Sequence, residues 1–402
     1  MRIAMLSVHS CPLGRLGTRD TGGMSVYIIE LARELGKRGH QVDVFTRAHN
    51  PEHETVMSLG ENARLIHLQA GGEGHIDKLA LYVYLPDFTC EIERFRRENG
   101  LRYDIIFSHY WLSGWVGRFV QGWWNIPHVI MFHTVGAIKN ALGIGQEEPE
   151  LRLETEKYLT GCCHRIIAPT ERERGDLAHH YGACPEMVSV IPCGVNLNVF
   201  QPRDKIWAKE QLGLDRTKRI ALFVGRIEPL KGVDKLLMSL PYIKSPELRT
   251  IIVGGDEASR SEIERLQALV QKLGLGNRVE FLGLVEQSRL PLFYSAADVC
   301  VVPSYYESFG LVALESLACG TPVVATDVGG MKDIVRPGET GYILRDNSPR
   351  RLAVKIGRVL ARPSTAAGPD LIRRSVARFG WAYTAERIID EFDSLVSGYR
   401  AG

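Results

Sequence analysis

Apolar residues recur along this chain in two alternating patterns, and the alternation restarts halfway. Short continuous apolar runs predict strands at 3–7, 42–46, 64–68, 105–108, 129–132, 166–169 and 188–191. Between several of them, apolar positions at helical spacing predict helices at 26–37, 90–99, 111–124, 150–159 and 171–180. Apolar strands alternating with helices imply a parallel sheet covered on both faces. The stretch Pro192-Cys193-Gly194-Val195-Asn196 and the later Phe200-Gln201-Pro202 break the periodicity and read as a linker. The alternation then resumes, with strands at 220–224, 250–253, 279–282, 299–303 and 322–326 and helices at 233–240, 262–273, 286–295, 310–319 and 349–360. The tail from 378 to 398 is helical in pattern. The fold class is therefore α/β, with two doubly wound Rossmann-like domains, the first ending near 198 and the second spanning 199–381. Doubly wound sheets bind ligands beyond the carboxyl ends of their strands, so two of them facing each other leave a cleft between.

The length of 402 residues, too long for one ordinary core, agrees with two domains. With 45% apolar and 24% charged residues the chain reads as a globular protein. A formal net charge of +2 supplies no overall field for nucleic acid. The eight cysteines show no C-x-x-C pair, and most sit in apolar stretches such as Val299-Cys300-Val301, which suits reduced thiols in a cytoplasmic protein. Arg2 to Val8 reads as a strand rather than a leader, and no apolar run approaches a membrane span. Peripheral membrane contact and a homodimer stay open.

Two nucleotide-binding signatures are missing. No G-x-G-x-x-G follows a strand, which disfavours a nicotinamide dehydrogenase, and no G-x-x-x-x-G-K-[ST] occurs, which disfavours a P-loop nucleotidase. No aspartates stand two apart to hold a divalent metal. A diphosphate leaving group would then be neutralised by side-chain cations and backbone dipoles. Arg226 and Lys231 offer themselves, in Gly225-Arg226-Ile227-Glu228-Pro229-Leu230-Lys231 after a predicted strand. The strongest signal is Pro303-Ser304-Tyr305-Tyr306-Glu307-Ser308-Phe309-Gly310-Leu311-Val312-Ala313-Leu314-Glu315, which joins a strand to a helix. Glu307 falls in the loop and Glu315 inside the helix; carboxylates there can grip hydroxyls of a sugar and of a ribose. The competing reading makes Glu307 a helix cap and Glu315 a surface residue. In the first half, Gly17-Thr18-Arg19-Asp20-Thr21-Gly22-Gly23 precedes a helix, as in loops whose amides touch phosphate. His109 and His133 each end an apolar strand; either is a sugar ligand or a structural hydrogen-bond donor.

Together these motifs resemble glycosyltransferase family 4, retaining enzymes of the GT-B fold, over almost the whole chain. The resemblance implies a nucleotide-sugar donor, UDP-linked, with no metal and no resident cofactor. It implies that Glu315 holds the ribose, that Glu307 with the amides of Ser308, Phe309, Gly310 and Leu311 holds the sugar and diphosphate, and that Arg226 and Lys231 bind the diphosphate. Gly22 and Gly23 would close over it, and His133 would face the donor sugar. The last helix, 382–402, would cross back onto the first domain. Within the family, Gly-Thr-Arg-Asp-Thr-Gly-Gly-Met-Ser-Val-Tyr, His-Tyr-Trp-Leu-Ser-Gly and Gly-Arg-Ile-Glu-Pro-Leu-Lys are similar to the subgroup acting on inositol phosphate. That subgroup holds its acceptor phosphate with residues that Lys78, Tyr110, Thr134 and Arg152 match; Ser25 departs from its Asn. Sucrose-phosphate synthase-like enzymes share Asp-Thr-Gly-Gly. The alternatives are a lipid or polysaccharide glycosyltransferase, a UDP-sugar epimerase on the same architecture, and a non-catalytic nucleotide-sugar sensor.

Overall fold

A computed structural model of the chain describes residues 1–14, 21–50, 54–72, 74–361 and 368–401. Two sheets organise it. The first contains β1 (Arg2–Leu6), β2 (Gln41–Arg47), β3 (Val56–Gly60), β4 (Ala63–Leu68), β5 (Ile105–His109), β6 (His128–Met131), β7 (Arg165–Ala168) and β8 (Val188–Val190) in the order 3-4-2-1-5-6-7-8. The second contains β9 (Arg219–Val224), β10 (Leu248–Val253), β11 (Val279–Gly283), β12 (Val299–Val302), β13 (Val323–Thr326) and β14 (Gly341–Leu344) in the order 11-10-9-12-13-14. All recorded pairs are parallel except β3 with β4.

The central strands are apolar on both faces because helices cover both. Ile3 to Leu6, Ile105 to Phe107 and Val299 to Val302 are buried throughout. The strand order reverses between β1 and β5 in the first sheet and between β9 and β12 in the second. A doubly wound sheet opens its ligand crevice at such a reversal. Five cysteines, Cys11, Cys163, Cys193, Cys300 and Cys319, are buried as thiols; Cys90 and Cys184 lie at the surface. Among the described residues no helix is long and apolar enough to cross a membrane.

The predicted elements are present, mostly within one or two residues at the ends. The helix expected at 90–99 is longer, Leu85–Glu98, because Pro86 opens it in the first turn, where its missing N–H costs nothing. The helix expected at 286–295 is a short 3₁₀ turn, Gln287–Arg289, followed by Leu290–Ala296. Two strands lie outside the predicted set. β3 is a half-exposed antiparallel edge and β14 is an edge strand that opens on Gly341 with Tyr342 and Ile343 half-buried, so neither carries the continuous apolar run of a central parallel strand.

The chain passes between the sheets twice. The first passage is the coil after β8, and the second precedes the helix Trp381–Ala401, which packs on the helix Gly23–Lys37. The passages are joined side by side: Val195 N donates to Phe379 O at 2.7 Å, and Val195 and Gly380 form a parallel bridge. Gly194 permits this approach, since a Cβ there would stand 2.6 Å from the Trp381 ring and 2.8 Å from its Cα. Trp381 stacks edge-on against Tyr27 of the first domain at 5.4 Å. Gly194→Ala should therefore overpack this junction and cost roughly 1–3 kcal/mol. Urea denaturation measures it, and an unchanged midpoint would show that the junction yields freely.

Candidate active site

Two loops of the second domain bring the expected donor-side residues together. After β9 the chain runs through Gly225 and Arg226 into the turn Pro229–Lys231 and the helix Val233–Ser239. After the adjacent β12 it runs through residues 303–310 into the helix Leu311–Ala318. Tyr305 N donates to Leu230 O at 2.8 Å and ties the loops together. Lys231 Nζ then donates to Glu307 Oε1 at 2.7 Å, and Ser304 Oγ donates to the same oxygen at 2.8 Å. Glu307 does not cap the helix: Gly310 occupies the cap position, and no side chain bonds to the first-turn amides. Gly310 has φ +120°, and a Cβ there would meet Met331 Cε at 2.5 Å, so glycine is required. Arg226 pairs with Glu228 at 3.0 Å.

Glu315 is not a surface residue. Its carboxylate is buried and accepts a hydrogen bond from Tyr294 Oη at 2.7 Å, and burial raises its pKa to about 7. A cavity of about 20 Å³ beside it is lined by Leu311 from the same helix and by Val26, Glu30 and Trp381. Gly22 and Gly23 stand opposite, at the start of the helix Gly23–Lys37; a Cβ on Gly23 would lie 3.4 Å from Leu311 Cδ1. The starts of two helices thus lie close together where the domains meet, and free amides at a helix start favour an anion. Residues Gly17 to Asp20 of the glycine-bearing loop lie outside the described residues. The side chains of Ser308 and Phe309 are already engaged: the Ser308 hydroxyl donates across the cleft to Glu173 of the first domain at 2.7 Å, and the Phe309 ring is buried in the core.

On the first domain the four expected acceptor-side residues converge. Tyr110 follows β5 and Thr134 lies just beyond β6. Arg152 Nη2 donates to Thr134 O at 2.8 Å and to its Oγ1 at 3.0 Å. The Arg152 guanidinium lies 4.7 Å from the Tyr110 ring centre, and Lys78 Nζ lies 5.7 Å from it. Arg152 is buried and held by two carboxylates, Glu156 at 2.7 Å and Glu148 at 2.8 Å. Glu156 is itself fixed by Gly136 N at 2.8 Å and Tyr181 Oη at 2.5 Å. Glu148 also pairs with Lys139. Ser25, the departure in the motif, is buried with its hydroxyl 3.2 Å from that of Ser10.

His133 and Tyr110 adopt left-handed backbone, φ +61° and +77°, a strained choice for residues with side chains. His133 Nε2 lies 2.9 Å from His109 Nδ1; the His109 ring is buried and His133 is half-buried. Burial lowers both pKa values, that of His133 to about 3, so both rings are neutral at pH 7. His9 completes the cluster. It follows β1 as His109 ends β5, lies against Tyr110 with ring centres 4.4 Å apart and planes tilted by 38°, and has a buried Nδ1 without a partner; burial and the nearby Lys78 and Arg152 keep it neutral. His9, Lys139, Glu148 and Glu173 were not among the expected site residues. Only His9 carried a signal in the sequence, its place just beyond a strand end.

Arg152 fills a buried position against Glu156, so Arg152→Ala would strand a buried carboxylate. It should lower stability by about 3–5 kcal/mol. Arg152→Met combined with Glu156→Gln should recover most of that loss, as read by chemical denaturation. A single mutant as stable as the parent would show that Glu156 is neutral in the fold.

Opposed strand ends, one set bringing together cations and carboxylates and the other a basic, hydroxyl-bearing pocket, lie on two parallel-sheet domains of the GT-B type. Residues 21–199 match the profile described as Glycosyltransferase Family 4, and residues 204–370 match that of glycosyl transferases group 1. The chain belongs to glycosyltransferase family 4 and is a glycosyltransferase. It is 40% identical to D-inositol 3-phosphate glycosyltransferase 2 of Catenulispora acidiphila over 100% of this chain and 96% of that one. It is 42% identical to the D-inositol 3-phosphate glycosyltransferase of Acidothermus cellulolyticus over 99% of this chain and 91% of that one. Among solved structures, the sucrose-phosphate synthase of Thermosynechococcus elongatus is similar over 99% of both chains, with a TM-score of 0.91 and 35% identity.

Proposed function

We propose that this glycosyltransferase moves a sugar from a UDP-sugar, UDP-N-acetylglucosamine being one candidate, to a hydroxyl of a small phosphorylated polyol such as inositol phosphate. The observation that carries this reading is the convergence of Lys78, Tyr110, Thr134 and Arg152 on one wall of the cleft, opposite Lys231 and Glu307. A phosphate dianion needs cations for charge and hydroxyls for orientation, and this pocket offers both. The relatives named for inositol 3-phosphate share the length of the chain.

In this reading Arg226, Lys231 and the two adjacent helix N-termini stabilise the diphosphate as it leaves, and no metal is needed. The bond between the anomeric carbon and the diphosphate oxygen breaks, and the acceptor oxygen bonds to that carbon on the same face. Configuration is retained, and the acceptor proton passes to the leaving phosphate. Neutral His133 offers a hydrogen bond to the donor sugar without adding charge to the cleft. Lys231 and Glu307 exchange their mutual bond for the donor, the lysine taking the diphosphate and the glutamate the sugar hydroxyls. The protein acts chiefly by positioning and electrostatic stabilisation.

The likeness to a sucrose-phosphate synthase supports a second acceptor, fructose 6-phosphate, in the same pocket. Assay of one UDP-sugar against inositol phosphate, fructose 6-phosphate and their unphosphorylated counterparts tests the reading. Transfer should require the phosphate, and preference for an unphosphorylated acceptor would refute it. Conversion of the UDP-sugar without any acceptor would point to an epimerase instead.

Glu315 and Glu307 should fail differently. Glu315→Gln should weaken binding of UDP itself by about tenfold or more, the loss of a charged hydrogen bond to the ribose. Glu307→Gln should leave UDP affinity near that of the parent and lower turnover. Calorimetric titration with UDP beside steady-state rates decides it. Equal loss of UDP affinity in both would overturn the assignment.

A further inference from the structure

Glu173 lies at the third position of the helix Glu171–Tyr181, where Thr170 caps the helix by accepting from Glu173 N at 3.0 Å. A Thr-x-x-Glu start normally folds the glutamate back onto the cap residue's own amide. Here the side chain crosses the cleft: Oε2 accepts from Ser308 Oγ at 2.7 Å, in the loop that carries Glu307. Oε1 is buried and has no hydrogen-bond partner. The ionisable groups facing it are Asp176 on its own helix, Glu156 on the helix Glu150–Cys162, Tyr306 on the donor loop and Cys193 on the passage between the domains. None of these is a cation. The neighbouring Arg172 is turned to the surface, where it bonds Asp327 O at 2.7 Å and Asp327 Oδ1 at 3.1 Å.

A carboxylate enclosed this way, with one oxygen unbonded and no counter-charge, is costly, and the group lowers that cost by taking a proton. The enclosure is made by both domains. Ser308 and Tyr306 belong to the donor side and move away if the cleft opens, which would return Glu173 to water. Tyr306 crosses in the same place, its hydroxyl accepting from Val135 N at 3.1 Å.

We propose that closure of the two domains is linked to proton uptake, with Glu173 as the group that takes the proton. The linkage rests on the reading that the domains close over a nucleotide-sugar donor, but it is set by the protein alone. Its sign follows from the burial. Closing raises the carboxyl from its ordinary range to about 8, so the closed state holds a proton that the open state releases between about pH 4.5 and 8. The stabilisation of the closed state is full below pH 4.5 and is lost as pH rises through 8. Glu173 is thus a positioning residue: protonated, it lets the donor loop seat against the first domain, and ionised it drives the two apart.

Small-angle scattering without ligand tests the linkage directly. The parent should expand as pH rises from 6 to 9, whereas Glu173→Gln, a permanent mimic of the neutral acid, should stay compact. Ser308→Ala, which removes the bond across the cleft, should expand at lower pH than the parent. Calorimetry of UDP binding at pH 7.5, in buffers of differing ionisation enthalpy, should show proton uptake in the parent and none in Glu173→Gln. A parent of constant dimensions, or equal uptake in both proteins, would overturn the proposal. Absence of any UDP heat, with the scattering result intact, would instead overturn the donor reading and leave the linkage standing.

Discussion

Charge in the cleft is balanced before any ligand arrives. Lys231 is bound by Glu307, Arg226 by Glu228, and Lys139 and Arg152 share Glu148. Several like charges converging between two apolar domains would otherwise repel strongly, because the interior screens poorly. The carboxylates let the cations be packed together at the cleft. Not all the pairs are equal. Glu156 is sealed in by three donors and serves as the permanent partner of Arg152, while Glu148 and Glu307 stay partly open to solvent and can exchange partners. The same residues therefore support the fold and hold charge at the cleft.

This arrangement explains what the sequence made legible. The domain architecture was visible because buried parallel strands must be apolar on both faces, and β3 and β14 escaped because strands at a sheet edge need not be. Arg226, Lys231, Glu307 and Glu315 stood out because a strand end followed by glycine and a helix start is a local pattern. Lys78, Tyr110, Thr134 and Arg152 have no such pattern. They are scattered through the first half, and only their family resemblance connected them before the sheet order of β1, β5 and β6 brought them together.

The partners of these residues were hidden for a different reason. Glu148 and Glu156 look like ordinary surface acids in an acidic stretch, Glu147 to Glu156, and nothing local distinguishes the two that point inward. Glu173 was concealed more thoroughly, since its sequence position announces a helix cap. A local rule predicts the amide-to-threonine half of that motif correctly and fails for the carboxylate, because the competing partner, Ser308, lies 135 residues away. Ser308 and Phe309 illustrate the converse: both sit in the strongest motif, yet one side chain serves the other domain and the other serves the core.

The doubled passage between the domains sets the kinematics of the molecule. A single linker would act as a ball joint, leaving one domain free to twist and swing on the other. Here two strands of chain, bridged at Val195 and Gly380 and locked by Trp381, run side by side like the two leaves of one pin. Such a pin resists torsion and favours swing about one line. In the proposed closure the strand ends of β6 and β7 would part from the loops after β12 and β13 along that line and return to the same register, with Lys231 and the Arg152 pocket opposite each other.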